Sequence, residues 1–407
     1  MKIVHTADIH LDSPLRSLAL KNPDLRERVR TASREAFVRI VDAVLENGAA
    51  ALLIAGDLYD GQERSAKGAA FLNAQFDRLG REGVAVFCIR GNHDAENPVS
   101  GAVPLPGNVH VFDGRGGKRR VGDADVWVHG VSFSGRHAPD SLLGKFGAPV
   151  PGAVNIAMLH TSLAGAEGHD PYAPCTPAQL TGMGFDYWAL GHVHKRQVHG
   201  EVPWIVMPGI PQGRDIGEAG AKSATLLTIG DDGIAVEEVP TAHVEFGALD
   251  IDVSGVEDAD DLRRAIRAAL AARADGAETI LRVRLTGATP LCWTLRRDRE
   301  VWAETVADMA RETKRLWVET VSLDVADPAP ETGGTALANL AASMQAIREE
   351  ESYREAARAE LETVMTMLPP ALRARLMPDE AAAVRLAERM AGAGAETALA
   401  RMKGTAE

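Results

Sequence analysis

Short apolar runs alternate with longer amphipathic stretches through the first half of the chain. The runs Ile3-Val4, Leu52-Leu53-Ile54, Val84-Ala85-Val86-Phe87, Ile156-Ala157-Met158-Leu159 and Trp188-Ala189-Leu190 are brief and partly β-branched, as buried strands are. Asp24 to Asn47 carries Phe37, Ile40, Val41, Val44 and Leu45 at the spacing of one helix face, and Gly48 stops it. Ser65 to Arg81 repeats the spacing with Ala69, Phe71, Leu72, Phe76 and Leu79. Further strand-like runs, Val109 to Phe112, Val126 to Val128, Ile205 to Met207, Ala224 to Ile229 and Ile234 to Val239, are divided by Gly and Pro. The pattern over residues 1–242 predicts an α/β domain of two stacked mixed sheets flanked by helices.

Residues 243–327 predict a different unit, a small α+β module. Strands at Leu249 to Val253, Ile280 to Leu285 and Trp317 to Leu323 alternate there with helices at Ala259 to Arg273 and Arg299 to Lys314. Residues 328–334, rich in Pro and Gly, read as a linker. From 335 to 407 the chain turns helical: Leu337, Leu340, Met344 and Ile347 share a face, as do Leu361, Met365 and Leu368. Pro369-Pro370 separates these from a helix starting near Asp379, a good N-cap. Such apolar faces either pack on the body of the protein or receive a partner helix.

A chain of 407 residues has room for two or three domains with proper cores. No apolar run reaches the length needed to cross a bilayer, and Met1-Lys2-Ile3-Val4 passes straight into His5 and Asp8 without a secretory layout. The expected location is cytoplasmic, with no membrane partner. Cys88, Cys175 and Cys292 are too far apart in sequence for a disulfide framework or a CxxC metal site, so reduced structural cysteines are expected. A formal net charge of −13 argues against a protein that coats nucleic acid through bulk electrostatics. The basic cluster Arg115 to Arg120 reads as a turn on a solvated hairpin or as a local patch for an anion.

Each of the five apolar runs leads into oxygen or nitrogen donors: Asp8-Ile9-His10, Gly56-Asp57, Gly91-Asn92-His93-Asp94, His160 and Gly191-His192-Val193-His194. Groups at the carboxyl ends of neighbouring strands converge on one point. Carboxylate, amide and imidazole ligands without thiolate suit two divalent ions such as manganese, iron or zinc rather than a structural zinc. Asp57, with two oxygens and a central place in the set, is the natural bridge. Asp8, His10 and His194 would complete one metal, and Asn92, His160 and His192 the other. Such a pair suits phosphodiester hydrolysis. His93 need not bind metal and could give a proton to the departing oxygen, with Asp94 a candidate to orient it. Singly, each fragment has an ordinary structural explanation, but their joint order does not. His5, His110, His129, His137, His169, His199 and His243 lack a second ligand at useful spacing and take structural or solvated roles.

The series D-x-H, G-D-x-x-D, G-N-H-[DE], H and G-H-x-H, with Asp57-Leu58-Tyr59-Asp60 as its second block, resembles the calcineurin-like metallophosphoesterase superfamily. The opening His5 to Asp12 is similar to its DNA repair exonuclease branch, the SbcD and YhaO type nuclease subunits. The resemblance covers residues 1 to about 240. It implies a four-layer α-β-β-α metallophosphoesterase sandwich, followed by a small capping domain and C-terminal helices. It further implies manganese-dependent cleavage of DNA, exonucleolytic from 3′ ends and endonucleolytic on single strands or hairpins. A homodimer through the phosphoesterase domain, and C-terminal helices that grip an SbcC-like coiled-coil ATPase, belong to the same expectation. Asp8, His10, Asp57, Asn92, His160, His192 and His194 match the metal ligands, and His93 the catalytic histidine.

Three rivals are weaker. A phosphoprotein phosphatase would place Arg-Gly after the second Asp of the G-D-x-x-D block, where this chain has Gly61-Gln62. A small-molecule or cyclic-nucleotide phosphodiesterase is the enzymatic alternative, but it leaves residues 243–327 and the terminal helices without a role. A nuclease-like scaffold that only recruits an ATPase has no need of the complete ligand set.

Overall fold

The structure is a computed structural model that describes residues 1–13, 23–60, 66–96, 104–135, 137–163, 172–328 and 336–403. His169, Gly61-Gln62 and all of the expected linker except Pro328 lie outside the described residues. The chain divides into two compact units, Met1–Gly247 with Ala277–Ile280, and Ala248–Gly276 with Leu281–Glu407.

The first unit contains β1 (Lys2–Thr6), β2 (Ala51–Ala55), β3 (Ala85–Ile89), β4 (Val109–Val111), β5 (Gly117–Arg120), β6 (Val126–Val131), β7 (Val154–His160), β8 (Tyr187–Gly191), β9 (Gln197–Glu201), β10 (Trp204–Met207), β11 (Ser223–Gly230) and β12 (Gly233–Pro240). Its helices are α1 (Pro23–Glu46), α2 (Ala66–Arg81), α3 (Asn92–Glu96) and α4 (Pro177–Thr181). One sheet runs β12-β11-β1-β2-β3-β4 and the other β5-β6-β7-β8-β10-β9. β1 to β4 are mutually parallel; at one side β11 runs antiparallel to β1, and β12 antiparallel to β11. Parallel neighbours need long crossovers, and α1 and α2 supply those from β1 to β2 and from β2 to β3.

Side chains alternate between the two faces of each strand, so each sheet feeds two apolar layers. Ile3, Ala51, Leu53, Phe87 and Leu227 of the first sheet share one cluster with Val128, Ile156, Met158 and Tyr187 of the second. Val4, Leu52, Ile54 and Val86, on the opposite face, pack under Phe37, Ile40, Leu72 and Phe76 of α1 and α2. The second sheet turns Leu159, Trp188 and Ile205 outward against Leu180 of α4 and Phe185. This is the expected α/β sandwich of two mixed sheets. Parallel register sets Thr6 beside Ile54, Ala55 beside Ile89 and His160 beside Gly191, which brings the carboxyl ends of these strands level.

The second unit builds a sheet in the order β13-β14-β15 from β13 (Glu245–Asp252), β14 (Thr279–Ala288) and β15 (Leu316–Ala326). Helices α5 (Ala259–Arg273), α6 (Cys292–Arg297) and α7 (Arg299–Glu312) accompany it, one short helix more than the sequence pattern suggests. Leu262, Ile266, Leu281, Val283, Val306 and Leu316 are central to its core. The terminal helices are α8 (Ala336–Glu349), α9 (Glu351–Thr366), α10 (Pro370–Leu376) and α11 (Glu380–Lys403). α11 packs on α6 and α9, buries Ala400, and ends with Lys403 3.6 Å from Asp327 and over the Trp293 ring. Thus α11 has its partner within its own unit, while Met367, Leu372 and Leu376 stay exposed.

No helix among the described residues is long and apolar enough to cross a membrane. The three cysteines are free and buried. The basic cluster lies at the exposed β5 hairpin, where Arg115 pairs with Asp113 at 2.7 Å and Arg120 with Asp125 at 2.6 Å.

Candidate metal centre

The loops after β1 and β2 are stitched together by their own backbones. Asp8 N–H donates to Gly56 O and His10 N–H to Asp57 O, each at 3.0 Å. This clasp turns Asp8, His10 and Asp57 into the left-handed region, with φ of 51°, 44° and 52°, and His192 after β8 has φ 106°. Such angles in residues other than glycine are strained, yet they swing consecutive side chains toward one point. Gly56, with φ +95°, permits the close approach of His160, because a Cβ there would lie 2.9 Å from His160 Cγ.

The donors meet in overlapping groups. Asp8, His10 and His194 have ligand atoms within 4.8 Å of one another, and so do Asp8, Asp57 and His160, and His10, Asp60 and His93. His10 Nε2 lies 3.2 Å from His194 Nε2, and His160 Nε2 is 3.4 Å from Asp57 Oδ2 and 3.1 Å from Asn92 Oδ1. The His192 ring centroid is 5.2 Å from that of His160, and its backbone N–H donates to both Asp8 oxygens. His93 N–H donates to Asp57 Oδ1 at 2.9 Å. All seven predicted ligands and His93 therefore stand at one end of the two sheets.

Burial sets the electrostatics. Asp8, His10, Asp57 and His160 are essentially inaccessible to water. Burial lifts the Asp8 carboxyl above its usual range against the pull of His160 and His194, with Asp57 adding to the rise. Burial drives His10 down to about 3, opposed by Asp57. His160 would be lowered by burial too, but the Asp57 carboxylate raises it to about 9. For Asp57 burial is the largest influence and acts upward, yet His160, His10 and His93 together hold it below the ordinary carboxylate range. Buried anionic oxygens thus face imidazoles at the floor of the site, and His10 Nδ1 has no hydrogen-bond partner among the described residues. Oxygen and imidazole donors without sulfur, placed this closely, fit divalent cations.

One expectation is corrected. Asp94 does not orient His93: one step further along α3 it points elsewhere, accepting from Tyr59 N–H at 3.0 Å and from Gly91 N–H at 3.1 Å. Asp60 is the group beside His93, with Oδ1 3.3 Å from Nδ1. That hydrogen bond, more than the opposing burial, raises the His93 pKa. Sequence reasoning also missed Glu218, which receives His194 Nδ1 at 2.7 Å and Arg214 Nη2 at 2.8 Å. The turn from β10 to β11 that carries both residues has no periodic signal. His5, by contrast, lies inside the first unit, bonded to Tyr187 OH at 3.0 Å and Leu190 O at 3.1 Å.

Asp57, Asn92, His93, His192 and His194 open onto a cleft of about 1050 Å³ whose walls include Lys195 and Lys222.

Residues 1–196 match the family model described as calcineurin-like phosphoesterase, and residues 246–326 match the middle domain of metallophosphoesterase YhaO. The chain is 31% identical over 296 residues to the uncharacterized metallophosphoesterase YhaO of Bacillus subtilis, covering 71% of this chain and 72% of that one. It is 27% identical over 233 residues to the DNA double-strand break repair protein Mre11 of Methanopyrus kandleri, covering 52% of this chain and about half, 49%, of the relative. Among solved structures, TT1561 of Thermus thermophilus aligns over 58% of this chain and 98% of its own at 15% identity, with a TM-score of 0.35. A dimetal phosphatase from Danio rerio covers 60% of this chain and 98% of its own at 11% identity, with a TM-score of 0.38. On the family matches and the YhaO relative, this chain belongs to the calcineurin-like metallophosphoesterase family.

Proposed function

We propose that the chain is a metal-dependent DNA nuclease that hydrolyses phosphodiester bonds, from 3′ ends and within single strands, in DNA repair. The observation that carries this reading is the convergence of Asp8, His10, Asp57, Asn92, His160, His192 and His194 at an open cleft, with His93 on its wall. Asp8, His10 and His194 would hold one ion and Asn92, His160 and His192 the other, with the Asp57 carboxylate available to both. Two divalent cations, manganese by preference, would acidify the attacking water and draw charge from the phosphoryl oxygens. His93 is 37% exposed, placed to give a proton to the departing oxygen while Asp60 holds its Nδ1. Lys195 and Lys222 offer positive charge to the phosphates of a strand lying in the cleft. The likeness to an archaeal Mre11 supports DNA as the polymer.

Residues 1–242 would be the nuclease domain, which pairs as a homodimer, 243–327 a cap, and 335–407 the helices that meet an SbcC-like coiled-coil ATPase. Apolar side chains left exposed on and beside α10, Met367, Leu372 and Leu376, support that last assignment. The test is direct. Purified chain with Mn²⁺ is given 3′-labelled linear duplex, single-stranded circles, bis-p-nitrophenyl phosphate and a cyclic nucleotide. Cleavage of both DNA substrates supports the reading. Turnover of the cyclic nucleotide with DNA left intact overturns it in favour of a small-molecule phosphodiesterase.

A further inference from the structure

We infer that Glu218 is a positioning residue for the proposed metal centre: its carboxylate accepts a hydrogen bond from His194 Nδ1–H, keeping the proton on Nδ1, and so leaves the Nε2 lone pair facing Asp8 and His10. The inference rests on the metal reading above and adds to it a residue outside the ligand set.

A histidine can present one ring nitrogen to a cation only if the proton resides on the other, and a carboxylate at that second nitrogen fixes both tautomer and ring plane. His194 Nδ1 is 2.7 Å from Glu218 Oε1, a charge-assisted distance. The opposite nitrogen, Nε2, lies 3.2 Å from His10 Nε2, inside the group formed with Asp8. Glu218 itself is held from several sides. Its Oε2 accepts Arg214 N–H at 2.8 Å, its Oε1 accepts Arg214 Nη2 at 2.8 Å, and its backbone N–H donates to Asp215 O at 3.0 Å. Asp215 in turn accepts Gly217 N–H at 2.7 Å and caps the short 3₁₀ turn Ile216–Glu218. The carboxylate is thus a fixed acceptor.

Among the described residues the competing tautomer has one supporter. Arg214 Nη2 also lies 3.0 Å from His194 Nδ1 and could donate to it, which would put the proton on Nε2 and point a donor at His10. That Nη2 already donates to Glu218 at the shorter 2.8 Å, and the carboxylate is the closer neighbour of Nδ1. Geometry therefore favours a proton on Nδ1 for as long as Glu218 is present. Without Glu218, Arg214 is left to donate to Nδ1 and the tautomer reverses.

Two measurements on the full chain test this. Manganese titration, followed by calorimetry and electron paramagnetic resonance, compares the wild type with Glu218→Ala and with the isosteric Glu218→Gln, after thermal unfolding has shown each to be folded. Glu218→Ala should weaken one of two manganese positions about 10- to 100-fold and spare the other, and Glu218→Gln, which keeps a neutral acceptor, should fall between. Nitrogen-15 histidine spectra of the metal-free protein should place the His194 proton on Nδ1 in the wild type and on Nε2 in Glu218→Ala. Unchanged affinity at both positions in the two variants, or a wild-type His194 protonated on Nε2, overturns the inference alone. A wild-type chain that takes up no manganese overturns the metal reading, and this inference with it.

Discussion

Gly91→Ala is a one-methyl probe of the proposed centre. Gly91 precedes α3 and does not adopt a left-handed φ, so alanine fits its backbone and only the space around the new carbon matters. That carbon would lie 2.8 Å from both Asp57 Cγ and His160 Cε1, and closer still to Asp57 Oδ1. Ordinary carbon contacts fall at about 3.5–4.0 Å, so the Asp57 carboxylate or the His160 ring must retreat by roughly 1 Å. Neither can do so freely, because Asp57 Oδ1 accepts His93 N–H at 2.9 Å and His160 Nδ1 bonds Ala55 O at 2.9 Å. Overpacking of this size costs about 1–3 kcal/mol of stability. If Asp57 is the bridging ligand proposed above, a displacement of about 1 Å should lower turnover on the order of 100-fold. Urea unfolding, metal content by mass spectrometry and hydrolysis of bis-p-nitrophenyl phosphate measure the three quantities, with Gly107→Ala as control, since a Cβ at Gly107 meets nothing within 4 Å. Wild-type turnover and metal content in Gly91→Ala would refute the placement of Asp57 at the reacting centre.

His93→Ala keeps the backbone N–H that Asp57 accepts, so metal content should hold while turnover falls about 10²- to 10⁴-fold; equal rates would remove the proton donor. His5 is buried and neutral, its pKa lowered from 6.5 to about 3 chiefly by burial, so the unfolded chain binds a proton that the folded chain refuses as pH falls below 6.5. Stability is therefore full above that value and is lost on acidification toward 3, by about 2 kcal/mol between pH 7.5 and 5 from His5 alone. Urea midpoints measured in chelator for wild type and His5→Gln should diverge in slope over that interval; parallel slopes would exclude the effect. Deleting the terminal helices is a poor test of the proposed ATPase contact, because α11 packs on α6. Leu372→Glu with Leu376→Glu, both 41% exposed, should instead leave the melting temperature and small-diester hydrolysis unchanged and abolish co-purification with the coiled-coil ATPase, and retained co-purification would reject this surface.

The buried strands were legible because their runs are short and bounded by glycine, and the helices α1 and α2 because Phe37, Ile40 and Phe76 repeat at helical spacing. The convergence of the candidate ligands was legible for a related reason: parallel strands of similar length finish level, so whatever follows them is brought together. Asp60, Arg214 and Glu218 were not legible as parts of the site. Asp60 occupies a motif position whose role depends on a loop path, and Glu218 reaches His194 across a turn of no fixed period. Asp94 was misread for an equally local reason, since adjacent residues on a helix point about 100° apart. Nor does an apolar stripe reveal its partner: α11 meets α6, at more than eighty residues' separation in sequence.

The strained angles at Asp8, His10, Asp57 and His192 are what a local reading would count as mistakes. Glycine would occupy each of them without penalty, and each costs about 1–3 kcal/mol as it stands. Glycine, however, brings no ligand. Three of the four lie in the loops joined by the Asp8 to Gly56 and His10 to Asp57 backbone bonds, and the fourth donates its N–H to Asp8. The ladder therefore holds in place the angles that aim the side chains, while Gly56 and Gly91 give up their own side chains so that His160 and Asp57 can approach. Asp12, Ala173 and Lys314 also take positive φ, but at Asp8, His10, Asp57 and His192 the conflict between residue and backbone gathers at one place, as a proposed ligand cage requires and the most stable turn does not.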